Sequence, residues 1–105
     1  MTTKTYAGKL IEINEEGYLL DSKAWDEEIA KAIAVEEGLA ALTPEHWKVI
    51  FFMRKAFAEK GDGPTIRTLT KESGVDTKLL YQLFPKGPAK KAARIAGIPK
   101  PHGCI

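Results

Sequence analysis

The sequence is poor in the residues on which most chemistry depends. Among 105 residues there is one cysteine, Cys104, so no disulfide can form within the chain. There are two histidines, His46 and His102, far apart, and one thiol cannot supply a zinc-type ligand spacing. The two serines, Ser22 and Ser73, lie in no nucleophile motif. No glycine-rich phosphate loop occurs: GDGP at 61–64 is too short and is not followed by Lys-Ser/Thr. The longest apolar run is VIFFM, Val49 to Met53, far too short to cross a bilayer. The opening MTTKTYAGKL lacks the apolar core of a signal peptide. These absences argue against a resident metal or cofactor and for a cytoplasmic protein with no membrane partner.

What is present is an ordinary globular composition, 44% hydrophobic and 29% charged, in a length that suits one domain. The net charge of +2 hides a gradient. Residues 1–40 carry nine acidic and four basic side chains, hence −5. Residues 41–84 carry five and seven, hence +2. Residues 85–105 carry Lys86, Lys90, Lys91, Arg94 and Lys100 with no acid, hence +5. Such a tail attracts an anion or an acidic partner, and it also reads simply as a solvated basic surface.

The expected fold class is mainly α: a small helical bundle with an N-terminal β-hairpin, an embedded helix-turn-helix and a flexible C-terminal arm. Ile11 and Ile13 share a strand face, and Tyr18 to Leu20 would return after a turn at Glu15-Glu16-Gly17. Asp21 and Ser22 are cap-type residues before a helix bearing Trp25, Ile29 and Ile33, which Gly38 can stop. A second helix opens with Thr43 as cap and Pro44 in its first turn, and closes at Gly61. Trp47, Ile50, Phe51 and Phe57 form its apolar stripe, and Trp47, Phe51, Phe57, Leu69 and Leu80 read as core. TIRTLTKESGVDTKLLYQLF predicts two short helices around Gly74, with Asp76 as a cap. Pro88 and Gly97 bound a last, basic helix. The domain is thus expected over 1–97 and the arm over 98–105, whose eight residues reach roughly 26 Å when extended. Pro99 and Pro101 stiffen it.

Two candidate chemistries follow. The helix pair near Thr65 to Phe84 has the outline of a DNA-binding helix-turn-helix, but its second helix offers little for base reading beyond Lys78 and Gln82, and a plain helical corner is the favoured reading. The other candidate is Cys104. It sits close to Lys100 and His102 and follows Gly103. Positive neighbours favour the nucleophilic thiolate, while the carboxylate of Ile105 opposes it. An exposed thiol on a stiffened arm can carry a group into another protein's active site. It can also be a tolerated bystander.

HWKVIFFMR (46–54), the pattern P-x-x-R-x-L-x-K at 64–71, LYQLFPKGPAK (80–90) and AGIPKPHGC (96–104) resemble the DsrC/TusE family over nearly the whole chain. The resemblance implies that Cys104 carries sulfur as a persulfide, and that the chain is a sulfur-relay protein, a sulfurtransferase of the kind that serves tRNA 2-thiouridine synthesis. It implies protein partners: a TusBCD-like or DsrEFH-like donor, and a tRNA thiouridylase or sulfite reductase as acceptor, met by a monomer. DsrC proper has a second arm cysteine eleven positions before the penultimate one. Here that position is Ala93, so the trisulfide or internal disulfide that joins two cysteines cannot form. A DsrC-like protein of dissimilatory sulfur metabolism lacking that cysteine is the alternative within the family. Arg67, Lys71 and Tyr81 match the family pattern and, with Lys100, Pro101 and Gly103, are expected to support the arm or meet a partner.

Overall fold

The computed structural model describes residues 2–61, 63–64, 66–85 and 87–99. The chain runs from a hairpin of β1 (Thr2–Tyr6) and β2 (Lys9–Ile13) through a 3-10 turn (Ser22–Ala24) into five helices. These are α1 (Glu27–Glu36), α2 (Pro44–Lys60), α3 (Ile66–Ser73), α4 (Thr77–Leu83) and α5 (Pro88–Ile95). The mainly α fold with an N-terminal hairpin is as the sequence predicts.

The hairpin itself is displaced toward the N-terminus. Its tight turn is Ala7-Gly8, both at positive φ (53° and 78°), with Tyr6 paired to Lys9. Two left-handed residues make the turn whose twist matches paired strands. Alanine rarely adopts that conformation, and this hides the turn from sequence reading. The expected turn near Gly17 also exists. The Asn14 side chain accepts from the N–H groups of Glu16 and Tyr18, at 2.9 and 3.0 Å. The segment after it pairs only once, as a single bridge between Ile13 and Leu19.

Caps fix the helix starts. Asp26 accepts from the N–H of Ile29 at the head of α1, and Asp76 from that of Leu79 at the head of α4. The acidic run Asp26-Glu27-Glu28 is therefore a cap plus a first turn, as the helix dipole favours. At α2, Thr43 and His46 form a reciprocal capping box. His46 Nδ1 accepts from the Thr43 N–H at 3.0 Å, and Nε2 lies 2.8 Å from the Leu83 carbonyl. A carbonyl can only accept, so Nε2 is the donor in that bond. This buried histidine ties the start of α2 to the end of α4.

α5 is the central element and packs against each of the other four helices. Pro88, Ala89, Ala92, Ala93 and Ile95 are all buried, and the alanines let neighbouring helices approach closely. The basic helix expected from composition is thus amphipathic, with Lys90 exposed at its margin. Ile29, Ile33, Ile50, Met53, Leu69, Leu80 and Phe84 fill the core around it. Each such side chain contributes roughly 1.5–3 kcal/mol on burial.

Candidate functional site at the root of the arm

The last turn of a helix leaves carbonyls without intrahelical partners. In α5 each of them is answered. Ala92 O accepts from the Ala96 N–H at 2.8 Å. Gly97 N–H donates to Arg94 O at 3.2 Å, and Ile98 N–H to Ala93 O at 3.1 Å, with Gly97 at φ +72°. That pair of bonds is a Schellman motif. Two carbonyls remain, those of Ile95 and Ala96. The indole Nε1 of Trp25 donates to Ile95 O at 2.7 Å, and Arg54 Nη1 donates to Ala96 O at 2.7 Å.

The two side chains also brace one another. The Arg54 guanidinium lies 4.1 Å from the centre of the Trp25 ring, a cation–π contact. Its Nη2 donates to Ser22 O at 3.1 Å, which ties in the segment that carries Trp25. Burial lowers the Arg54 pKa somewhat, but an arginine so shifted still carries its charge at neutral pH. Gly97 lies flat against Trp25: an added Cβ would fall 2.7 Å from Trp25 Cγ and 2.8 Å from its Cβ. Ile98 is fully buried, and the next residue, Pro99, is exposed.

Beside this root runs a short aromatic ladder. Trp25 meets Phe51 edge-on, with ring centres 6.1 Å apart, and Phe51 stacks on Trp47 at 5.6 Å. Phe51 is 46% exposed, so the expectation that it belongs to the core is corrected. It lies on the outer face of α2, in line with the exposed Lys48 and Lys55. Trp47 and Phe57 are partly buried, and Leu69 and Leu80 are core as expected.

The sequence-predicted site residues divide into two sets. Cys104, Lys100, Pro101 and Gly103 lie outside the described residues, as does His102. Arg67 and Lys71 are exposed one turn apart on α3, and Tyr81 is exposed on α4. No side-chain hydrogen bond or ion pair among the described residues joins these three. Lys78 and Gln82 are exposed on α4, which runs only seven residues. Ala93 is fully buried in α5. The sequence places Trp25 on the first helix behind Asp21 and Ser22, but Asp21 caps only the 3-10 turn and Trp25 precedes α1, whose cap is Asp26. Sequence reading gives neither Trp25 nor Arg54 a functional role. The available signal was a buried helix end at Gly97 whose carbonyls needed donors from elsewhere in the chain. Among the described residues no helix is long and apolar enough to cross a membrane.

The family model described as DsrC like protein matches residues 5–105. Sulfurtransferase TusE of Escherichia coli O6:H1 is 48% identical, over 95% of this chain and 97% of that protein. The dissimilatory-type sulfite reductase subunit gamma of Nitratidesulfovibrio vulgaris is 39% identical over the full length of both. The NMR structure of Allochromatium vinosum DsrC superposes with a TM-score of 0.85 at 41% identity, over 98% of this chain and 97% of that one. With one fold, near-complete coverage and a matched C-terminal cysteine segment, this chain belongs to the DsrC-like family.

Proposed function

We propose that the protein is a TusE-like sulfur carrier that holds sulfur as a persulfide on Cys104 and passes it between protein partners, serving tRNA 2-thiouridine synthesis. The observation that carries this reading is the 48% identity to a sulfurtransferase TusE across a match that extends through the cysteine segment. The chemistry needs few parts. The Cys104 thiolate attacks the outer sulfur of a donor persulfide, R–S–SH. The donor S–S bond breaks, the donor thiolate leaves with the electron pair, and Cys104–S–SH forms with the proton kept on the moved sulfur. An acceptor thiolate then takes that sulfur in the same way and regenerates the Cys104 thiolate. The sulfane sulfur changes partner with no net oxidation, so no redox cofactor is required. Rates of such exchange depend on thiolate fraction and on access. A donor of the TusBCD type and a thiouridylase acceptor fit this reading.

The chain lacks a second cysteine, and Ala93 is buried in α5. Chemistry that joins two arm cysteines is therefore closed to it, which favours simple relay over the sulfite-reductase cycle. Ile98 is buried and Pro99 exposed at the expected start of the arm. From Ile98 to Cys104 the contour length is roughly 20 Å, enough to enter a partner's cleft.

Intact mass without reductant, after incubation with a persulfide-loaded sulfurtransferase, tests the assignment. A gain of one sulfur atom is expected, reversed by reductant and absent from Cys104→Ser. An unmodified chain under several donors would remove the carrier role.

A further inference from the structure

We infer that Trp25 and Arg54 are positioning residues for sulfur transfer: they lock the point at which the arm leaves the body, and so determine where Cys104 can reach. The inference rests on the carrier reading. Its support is the accounting at the end of α5. The Schellman bonds already satisfy Ala93 and Arg94, as they do for helices that end with no further help. Here two side chains from outside the helix take the two remaining carbonyls, each at 2.7 Å. They come from different elements, Trp25 from the segment before α1 and Arg54 from the middle of α2. Arg54 then crosses to Ser22 O, closing a loop of contacts through Ser22, Trp25, Arg54 and Ala96.

The choice of donor points to direction rather than stability alone. Arg54 meets no carboxylate among the described residues, and its reach goes to two main-chain carbonyls and an aromatic face. A half-buried cation used this way fixes main-chain geometry at Ala96 through a planar, rigid fork. Gly97 supplies the complementary surface, because any side chain there would strike Trp25. Ile98 inserts behind it. Ile98 and Pro99 therefore leave the body from a fixed point. A short arm searches a volume set by its root, and a displaced root moves that volume away from a partner's reacting thiol. Misplacement of reacting groups by about 1 Å can cost as much as a hundredfold in rate.

The test uses the full chain with Trp25→Phe, Arg54→Met and Arg54→Lys. Trp25→Phe keeps an aromatic side chain and removes the N–H together with the pyrrole ring. Two readouts are taken on protein shown by circular dichroism to be folded. The first is amide hydrogen exchange at Gly97 and Ile98, with Ile50 and Leu69 as core references. Protection at Gly97 and Ile98 is expected to fall in Trp25→Phe and Arg54→Met while the references hold. The second is persulfide loading of Cys104 from glutathione persulfide and from the sulfur-loaded TusBCD complex of Escherichia coli. Loading by the small molecule is expected to match wild type, since it needs only the thiol. Loading by the protein donor is expected to fall about tenfold in Trp25→Phe and Arg54→Met, mainly in kcat, with partial recovery in Arg54→Lys. Wild-type rates from the protein donor in both variants would overturn the inference, as would unchanged protection at Gly97 and Ile98. A wild-type chain that takes sulfur from neither donor would overturn the carrier reading instead, and the exchange data would still report whether the root is locked.

Discussion

Two arginines reach across the fold to hold α5, and they do it differently. Arg94 projects from α5 itself into a charged cluster. It donates to Gly17 O at 3.0 Å and to the Tyr6 hydroxyl at 3.1 Å, and it pairs with Glu36 and with Glu37, the latter at 3.3 Å. Lys4 also pairs with Glu36. This cluster joins the hairpin, the end of α1 and α5. Arg54 reaches the end of the same helix with no carboxylate to meet it among the described residues, and donates only to main-chain carbonyls. A cation answered by opposite charge fastens scaffold to scaffold. A cation given to carbonyls fixes where a chain exits. On the inference above, the difference separates contacts that keep the fold from contacts that set where the chain leaves it.

The largest expected effect breaks the first of these. Arg94→Met leaves Glu36 and the Gly17 carbonyl short of their partner, and should cost about 3 kcal/mol in urea unfolding. Loading of Cys104 by a protein donor should stay at the wild-type rate while the variant is folded. Arg54→Met should show the reverse balance: a smaller loss of about 1–2 kcal/mol and a clear loss of transfer. If both variants lost stability and transfer in the same proportion, the distinction between scaffold and aim would fall.

Gly97 sharpens the comparison. Gly97→Ala forces a side chain into the left-handed region, which costs about 1–2 kcal/mol, and drives its Cβ into Trp25. Gly61 ends α2 at φ +75°, and a Cβ added there would meet nothing within 4 Å, so Gly61→Ala carries the backbone cost alone. The difference between the two melts measures the Trp25 contact, and a shift in tryptophan emission should accompany only Gly97→Ala. Equal melts with unchanged emission would mean that Trp25 gives way freely and does not brace the root.

Acid should act on the charged cluster. Burial raises the Glu36 pKa, but hydrogen bonds from Lys4, Arg94 and Tyr6 outweigh it and hold the carboxyl down at about 2, against an ordinary 4.5. A depressed pKa contributes stability that is fully present above about pH 4.5 and is lost as pH falls toward 2. Glu36→Gln should therefore flatten the fall in melting temperature between those two values. An acid profile identical to wild type would show that other carboxylates govern it.

Much of the fold was legible because it rests on local rules. Thr43, Asp76, Pro88 and the glycines mark helix ends by backbone chemistry that needs no tertiary partner. The cysteine segment was legible through its resemblance to a family. What stayed hidden depends on pairs far apart in sequence. Trp25 and Ile95 are separated by 70 residues, and Arg54 and Ala96 by 42. His46 read as an isolated histidine, because its carbonyl partner at Leu83 is 37 residues away. The hairpin moved because Ala7 takes a left-handed turn that alanine seldom accepts.

Phe51 shows the limit of periodicity in one side chain. It falls on the apolar stripe of α2, yet that stripe is wider than the core it covers, and the residue is exposed. Its neighbours Trp47 and Trp25 meet it through stacked and edge contacts. Phe51→Ser should consequently cost only about 1 kcal/mol, the worth of an aromatic pair with part of its burial, where a fully buried phenylalanine costs about 3–5 kcal/mol on truncation. Phe84, which is fully buried against His46 with ring centres 5.1 Å apart, is the internal control. Urea melts of Phe51→Ser and Phe84→Ala should differ by about a factor of three or more. Similar losses would mean that the aromatic ladder is part of the core after all, and that Trp25 is held by packing on Phe51 as much as by its bond to the end of α5.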